Sequence, residues 1–219
     1  MVGMRVERGV TSLKLRAVVT QALLALFLLV TGLVALATLL LAVQEFQSGY
    51  SAWLITTPAF VFYIVLTFVP AAIALTLWVW RAHANLHADQ LDGLNYAPGW
   101  TAASLWVPGF NLYAPKGAMR ELWNRSHGEE PWFANQSVDA VNSWWTCYVV
   151  GILIVSLLTV MVLIDRFSFF VFLTPPGTNM LALAFASLLL AGSAWFLIRS
   201  VGRITKAQET VTSVGDTFA

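Results

Sequence analysis

Four long, predominantly apolar stretches of the chain contain no Asp, Glu, Lys or Arg: residues 17–44, 46–80, 140–164 and 167–198. Each can hold the roughly twenty apolar residues that carry a helix across the hydrocarbon layer of a bilayer. The pattern predicts spanning helices over about 17–43, 53–80, 143–164 and 179–198. The expected fold is all-α: one membrane domain over residues 1–219, with an amphipathic cytoplasmic segment, 81–142, between spans two and three. The first run has features of a signal peptide, since Arg5, Arg8, Lys14 and Arg16 precede it and Ala35-Leu36-Ala37 imitates a cleavage site. A signal core is only about 7–15 residues long. This run continues through Thr38 to Val43, so it is expected to stay as the first helix.

Orientation follows from Lys and Arg near the helix ends, because these residues stay on the cytoplasmic side. Eleven of the twelve lie before span one, between spans two and three, or after span four; the exception is Arg166. Both termini and the central segment are therefore expected in the cytoplasm, and the protein in the cell membrane, an inner membrane where there are two. Two short connectors then face outward, near 45–52 and 165–179. The second carries the apolar stretch 167–173 before Pro175-Pro176-Gly177 and is expected to dip into the outer interface.

The central segment holds most of the individuality of the chain. No breaker interrupts residues 81–87, so span two should continue as a helix beyond the membrane surface, up to a turn at Asn95, Pro98 and Gly99. Residues 100–106 are apolar but too short to cross, which makes them interfacial or re-entrant. A helix is expected from Pro115 or Lys116 to about Ser126, with Met119, Leu122 and Trp123 opposite Lys116, Arg120 and Glu121. Gly128 to Pro131 should end it.

Composition agrees with this membrane pattern. Of 219 residues 58% are hydrophobic and 11% charged, against about a quarter charged in a soluble domain. The net charge of +1 offers no field for nucleic acid, and one cysteine, Cys147, excludes a disulfide scaffold. Trp100, Trp106, Trp123, Trp132, Trp144 and Trp145 suit an aromatic belt at the inner interface. The alternative is that Trp100, Trp106 and Trp123 line a pocket for a lipid or amphipathic ligand.

Trp80-Arg81-x3-Asn85, Tyr96-x-Pro98-Gly99-Trp100 and Trp106-x-Pro108-x2-Asn111-Leu112-x2-Pro115-x3-Met119-Arg120-x2-Trp123-x2-Ser126 together form a spaced signature. It resembles a bacterial family of uncharacterised multi-spanning membrane proteins, domain of unknown function 4328. The resemblance runs from span two into span four and implies a small multi-spanning membrane domain. It brings no activity, substrate or catalytic residue.

Candidate chemistry is sparse. His83 and His87, four apart, share a helix face and are weak candidates for a metal pair, with Asp89 or Asp92 the nearest further ligand. No Glu follows His83 in the metalloprotease pattern, and solvated interface histidines are the bland alternative. Haem between facing helices needs a histidine on each, and spans one, three and four have none. Arg81 and Asn85 share a face too; they are expected to bond the 108–111 turn and lock the central segment onto span two. There is no nucleophile elbow, no phosphate-cradling glycine loop, and no base beside Cys147. The spans lack the charged or histidine side chains that mark proton pathways. Pro58 and Pro70 in span two, and Ala182-x3-Ala186 with Ser187-x3-Ala191 in span four, are read as shape and close packing.

No cofactor and no catalytic residue is therefore expected. The leading expectation is a non-enzymatic scaffold or regulatory membrane component. The alternatives are a small-molecule or lipid channel or carrier, perhaps oligomeric, and, more weakly, a metal- or haem-binding redox protein. Expected partners are the lipid bilayer and a protein, or a second copy, met through the helices or the cytoplasmic segment; nucleic acid is not expected.

Overall fold

The structure is a computed structural model that describes residues 2–107, 109–169 and 172–217, with side chains over 11–107, 109–169 and 172–210. Its described residues form six α-helices and no strand: α1 Val2–Ser48, α2 Trp53–Ala88, α3 Pro98–Ser104, α4 Ala114–Ser126, α5 Asp139–Phe167 and α6 Thr178–Thr217. Two short 3-10 turns, Phe110–Leu112 and Pro131–Phe133, flank α4. Four helices are long and apolar enough to cross a membrane, over Thr11–Ser48, Trp53–Ala88, Asp139–Phe167 and Thr178–Thr210. They match the four charge-free runs. Each extends into polar sequence because no breaker stops it there.

The boundaries follow local chemistry. Prolines start α3 and α4, where the missing N–H is lost without cost. Asp139 lies in the first turn of α5 and Arg166 in its last, both favourable to the helix dipole. Gly128, at φ 84°, follows the end of α4 in the left-handed conformation that glycine reaches without strain.

By contacts the chain divides into two compact units. The first comprises residues 1–24, 70–143 and 196–219, the second 25–69 and 144–195. Within the second, Phe27, Phe68, Tyr148 and Trp145 form a chain of ring contacts 5.6–6.4 Å apart between α1, α2 and α5. A Cβ on Gly151 of α5 would stand 3.2 Å from the carbonyl oxygen of Ala186 and 3.0 Å from Leu190 Cγ, so only glycine lets α5 and α6 approach this closely. Ala186 is the buried member of the small-residue spacing in α6. The buried hydroxyls of α1 here are satisfied within their own helix: Thr31 donates to the Phe27 carbonyl and Thr38 to that of Val34. Outward, α1 exposes Leu29, Leu33, Leu36 and Leu40, each more than half accessible.

Candidate functional site

The central segment folds in the first unit, around α4. Along that helix Ala118, Glu121, Leu122 and Arg125 form one buried stripe at spacings of three, four and seven. Glu121 is fully buried, which corrects its expected place on the polar face. Its carboxylate accepts the backbone N–H of Asn95 at 2.7 Å, the Asn95 side-chain amide at 3.1 Å and the N–H of Tyr96 at 3.1 Å. Those donors are what a buried charge requires. Arg125, also buried, donates to the Asp92 carbonyl at 3.0 Å and to the Glu129 carbonyl. The connector at 92–96, before α3, and the turn that follows α4 are thus both held from α4. The amide nitrogen of Asn124 adds to the second, donating to the carbonyls of Phe133, Ala134 and Gln136 at 3.0–3.1 Å.

Close approach fixes the connector at 92–96 further. The hydroxyl of Tyr96 lies only 2.1 Å from where a Cβ on Gly117 would be, so the tyrosine packs on bare α4 backbone.

Gln208 of α6 joins three elements. Its Oε1 accepts from Asn85 Nδ2 at 3.1 Å, while its Nε2 donates to the Ala82 carbonyl at 3.2 Å and Ser126 Oγ at 3.0 Å. Asn85 thus bonds α6 through the amide of Gln208; the 108–111 turn expected from sequence as its partner begins at Pro108, outside the described residues. Around this hub Trp78 donates to Thr205 at 3.1 Å, Thr20 to the Ala74 carbonyl at 3.1 Å and Gln21 to the Ile198 carbonyl at 3.0 Å. The Arg16 guanidinium donates to the Leu77 carbonyl at 2.8 Å and lies over Trp80, 5.4 Å from the ring centroid.

The two histidines part company. His83 is fully buried with neither ring nitrogen hydrogen-bonded, whereas His87 is exposed and pairs Nδ1 with the carbonyl of His83 at 3.0 Å. Asp89 follows at the exposed end of α2, its carboxyl pushed up from the ordinary value by loss of solvation. Among the described residues no three His, Cys, Asp or Glu side chains are grouped as metal ligands would be.

The tryptophans separate as well. Trp144 and Trp145 are buried, while Trp100, Trp106 and Trp132 are exposed. Trp100 packs edge-to-face on Phe110 at 5.4 Å, and Trp106 donates its indole N–H to Thr76 Oγ1 at 2.9 Å. Trp123 instead stacks on His127 at 4.9 Å with the Arg203 guanidinium 5.9 Å from its ring centroid. Trp100 and Trp123 thus have different ring partners.

A family model described as Domain of unknown function (DUF4328) matches residues 47–206. The chain belongs to this family. No curated relative and no solved structure matches it. The DUF4328 match takes in α2 to α5 and most of α6, so Glu121, Asn124 and Arg125 lie inside it, whereas Arg16, Gln21 and Gln208 lie outside. Of the DUF4328 signature, Pro98 starts α3, Pro115 is buried in the first turn of α4, and Asn111 donates its N–H to the Val107 carbonyl at 3.0 Å. Arg81 is half-buried; Pro108 lies outside the described residues, as do Phe170 and Val171 of the expected interfacial stretch and the side chains of Arg5 and Arg8.

The polar groups that organise the DUF4328 segment are the ones sequence reasoning passed over. Glu121 and Arg125 fall on the stripe headed by Ala118, four apart, and that stripe was the available signal. Nothing local marks Gln208, because its partners lie 82 to 126 positions away.

Proposed function

We propose that the chain is a four-span protein of the cell membrane with both termini and the central segment in the cytoplasm, and that it acts as a non-enzymatic scaffold. The observation that carries this reading is the folded state of the central segment. A mere connector between two helical pairs needs no buried carboxylate, and this one encloses Glu121, Asn124 and Arg125 and bonds each of them to its own backbone. Such bonding supports a fixed surface, not a flexible loop. The exposed Trp132 and Phe133 beside it suit the amphipathic, low-entropy contact of an interaction surface. The membrane reading draws on the exposed apolar flanks of the four long helices, which water would not tolerate. The basic residues gathered around 81–142 and both termini support the orientation. Trp106 bonded to Thr76, five residues before Arg81 on α2, suits an interfacial seat for residues 100–106.

Two readouts test the reading. In a Cys147→Ser background, a membrane-impermeant thiol reagent on intact cells should label Tyr50→Cys and Phe169→Cys but spare Trp132→Cys until the cells are opened. Labelling of Trp132→Cys from outside would overturn the orientation. A photo-crosslinking residue at Trp132 should give one discrete adduct in cells, whereas solute flux in proteoliposomes without an adduct would overturn the scaffold and favour a carrier.

A further inference from the structure

The second unit contains a groove of about 840 Å³ between α2 and α5. Its walls are Leu54, Pro58, Val61 and Val65 of α2 with Thr159 and Val162 of α5. At a rise of 1.5 Å per residue, Leu54 to Val65 makes a wall about 17 Å long. The polarity is one-sided. Apolar side chains line the length of the groove, and Asp165 and Arg166, in the last turn of α5, close the end where α2 begins.

The two charged residues at this mouth do not pair with each other. Asp165 Oδ1 accepts the N–H of Phe172 at 2.8 Å, and its Oδ2 is enclosed without a partner. Arg166 forms no hydrogen bond or ion pair with any described residue. A guanidinium with no partner among the described residues, beside a long apolar slot, matches a molecule with a phosphate at one end and a hydrocarbon chain behind it. The carboxylate next to it brings the formal charge of the mouth to zero. A head group carrying both phosphate and ammonium is complementary to that pair, and a net anionic one meets Asp165 unfavourably.

We propose that the groove holds one acyl chain of a bilayer phospholipid, with the phosphate on Arg166 and with Asp165 favouring a zwitterionic head group. The inference rests on the membrane reading above. An apolar slot of this size within a bilayer gains dispersion contacts from a chain that water or a bare void would not give it.

The test uses the full chain reconstituted into vesicles of equal phosphatidylethanolamine and phosphatidylglycerol, followed by flotation and native mass spectrometry after mild extraction. Protein that fails to float overturns the membrane reading, and this inference with it. If it floats, phosphatidylethanolamine should be retained about fivefold above its bulk ratio, the size expected of one ionic contact near the surface. Arg166→Gln should lower the total lipid retained about fivefold, the loss of one ionic contact to phosphate, and Val61→Trp should displace the retained lipid while the protein still floats. Asp165→Asn keeps the acceptor for Phe172 and should shift retention toward phosphatidylglycerol. Lipid retained at the bulk ratio by the unaltered protein, or unchanged retention in Arg166→Gln, would overturn the proposal.

Discussion

The two units of this chain hold themselves together by different means. In the first, buried side chains of Glu121, Asn124, Arg125 and Gln208 fix turns and helices by hydrogen bonds to distant partners. In the second, packing comes from rings, from the close approach at Gly151, and from hydroxyls that bond their own helix. Its marked exception lies at the end of α1, where buried Glu45 accepts the N–H groups of Ala52 at 2.8 Å and Gly177 at 2.9 Å. Under the membrane placement proposed above, the difference is one of solvent: helices that lipid covers gain nothing from hiding apolar surface and must pack by shape, whereas a segment facing water can use burial and directional bonds together.

The contrast is open to being broken. Glu121→Leu should have the largest effect, because it leaves three donors from Asn95 and Tyr96 without an acceptor. A loss of about 3 kcal/mol, or of the order of 10 °C in melting temperature of the solubilised protein, is expected. A loss below about 1 kcal/mol would mean the carboxylate does not hold the turn. In the second unit, Gly151→Leu should cost about 1–3 kcal/mol by overpacking against Leu190 and Ala186. If thermal melting shows no change there, α5 and α6 are not packed through that glycine. Gln208→Leu should cost about 1–2 kcal/mol, seen as a lower denaturation midpoint, by stranding Asn85 and Ser126.

Two substitutions sharpen the comparison by doing little. His83→Leu replaces a buried imidazole that no hydrogen bond satisfies, so stability should stay level or rise. A loss above about 1 kcal/mol would reveal a partner for the ring. Thr38→Val removes a hydroxyl bonded only within its own helix and should change stability by less than about 0.5 kcal/mol.

The second unit was the more legible from sequence. A charge-free run of twenty or more residues dominated by Leu, Val, Ile, Ala and Phe identifies a helix of this kind without any knowledge of its neighbours, and α1, α2, α5 and α6 follow those runs. α4 was legible from Pro115 and Gly128, whereas α3 was not: Pro98 and Gly99, expected to form a turn, are its first two residues, because proline suits the first turn of a helix. The site around α4 was not legible either. A Glu or Arg in a helix reads as surface by default, because burial of its charge depends on donors and acceptors elsewhere in the chain. The acceptor at Glu121 and the N–H groups of Asn95 and Tyr96 are 25 and 26 residues apart, linked by no local pattern. The same gap hides the bond from Asn85 to Gln208, 123 positions away.

Hydrogen exchange of the bilayer-embedded chain addresses this division most directly. The amides of Asn95 and Tyr96 should exchange slowly in the unaltered protein and fast in Glu121→Leu, with protection across residues 150–162 of α5 unchanged. Fast exchange at Asn95 and Tyr96 in the unaltered protein would contradict a central segment folded on its own buried carboxylate.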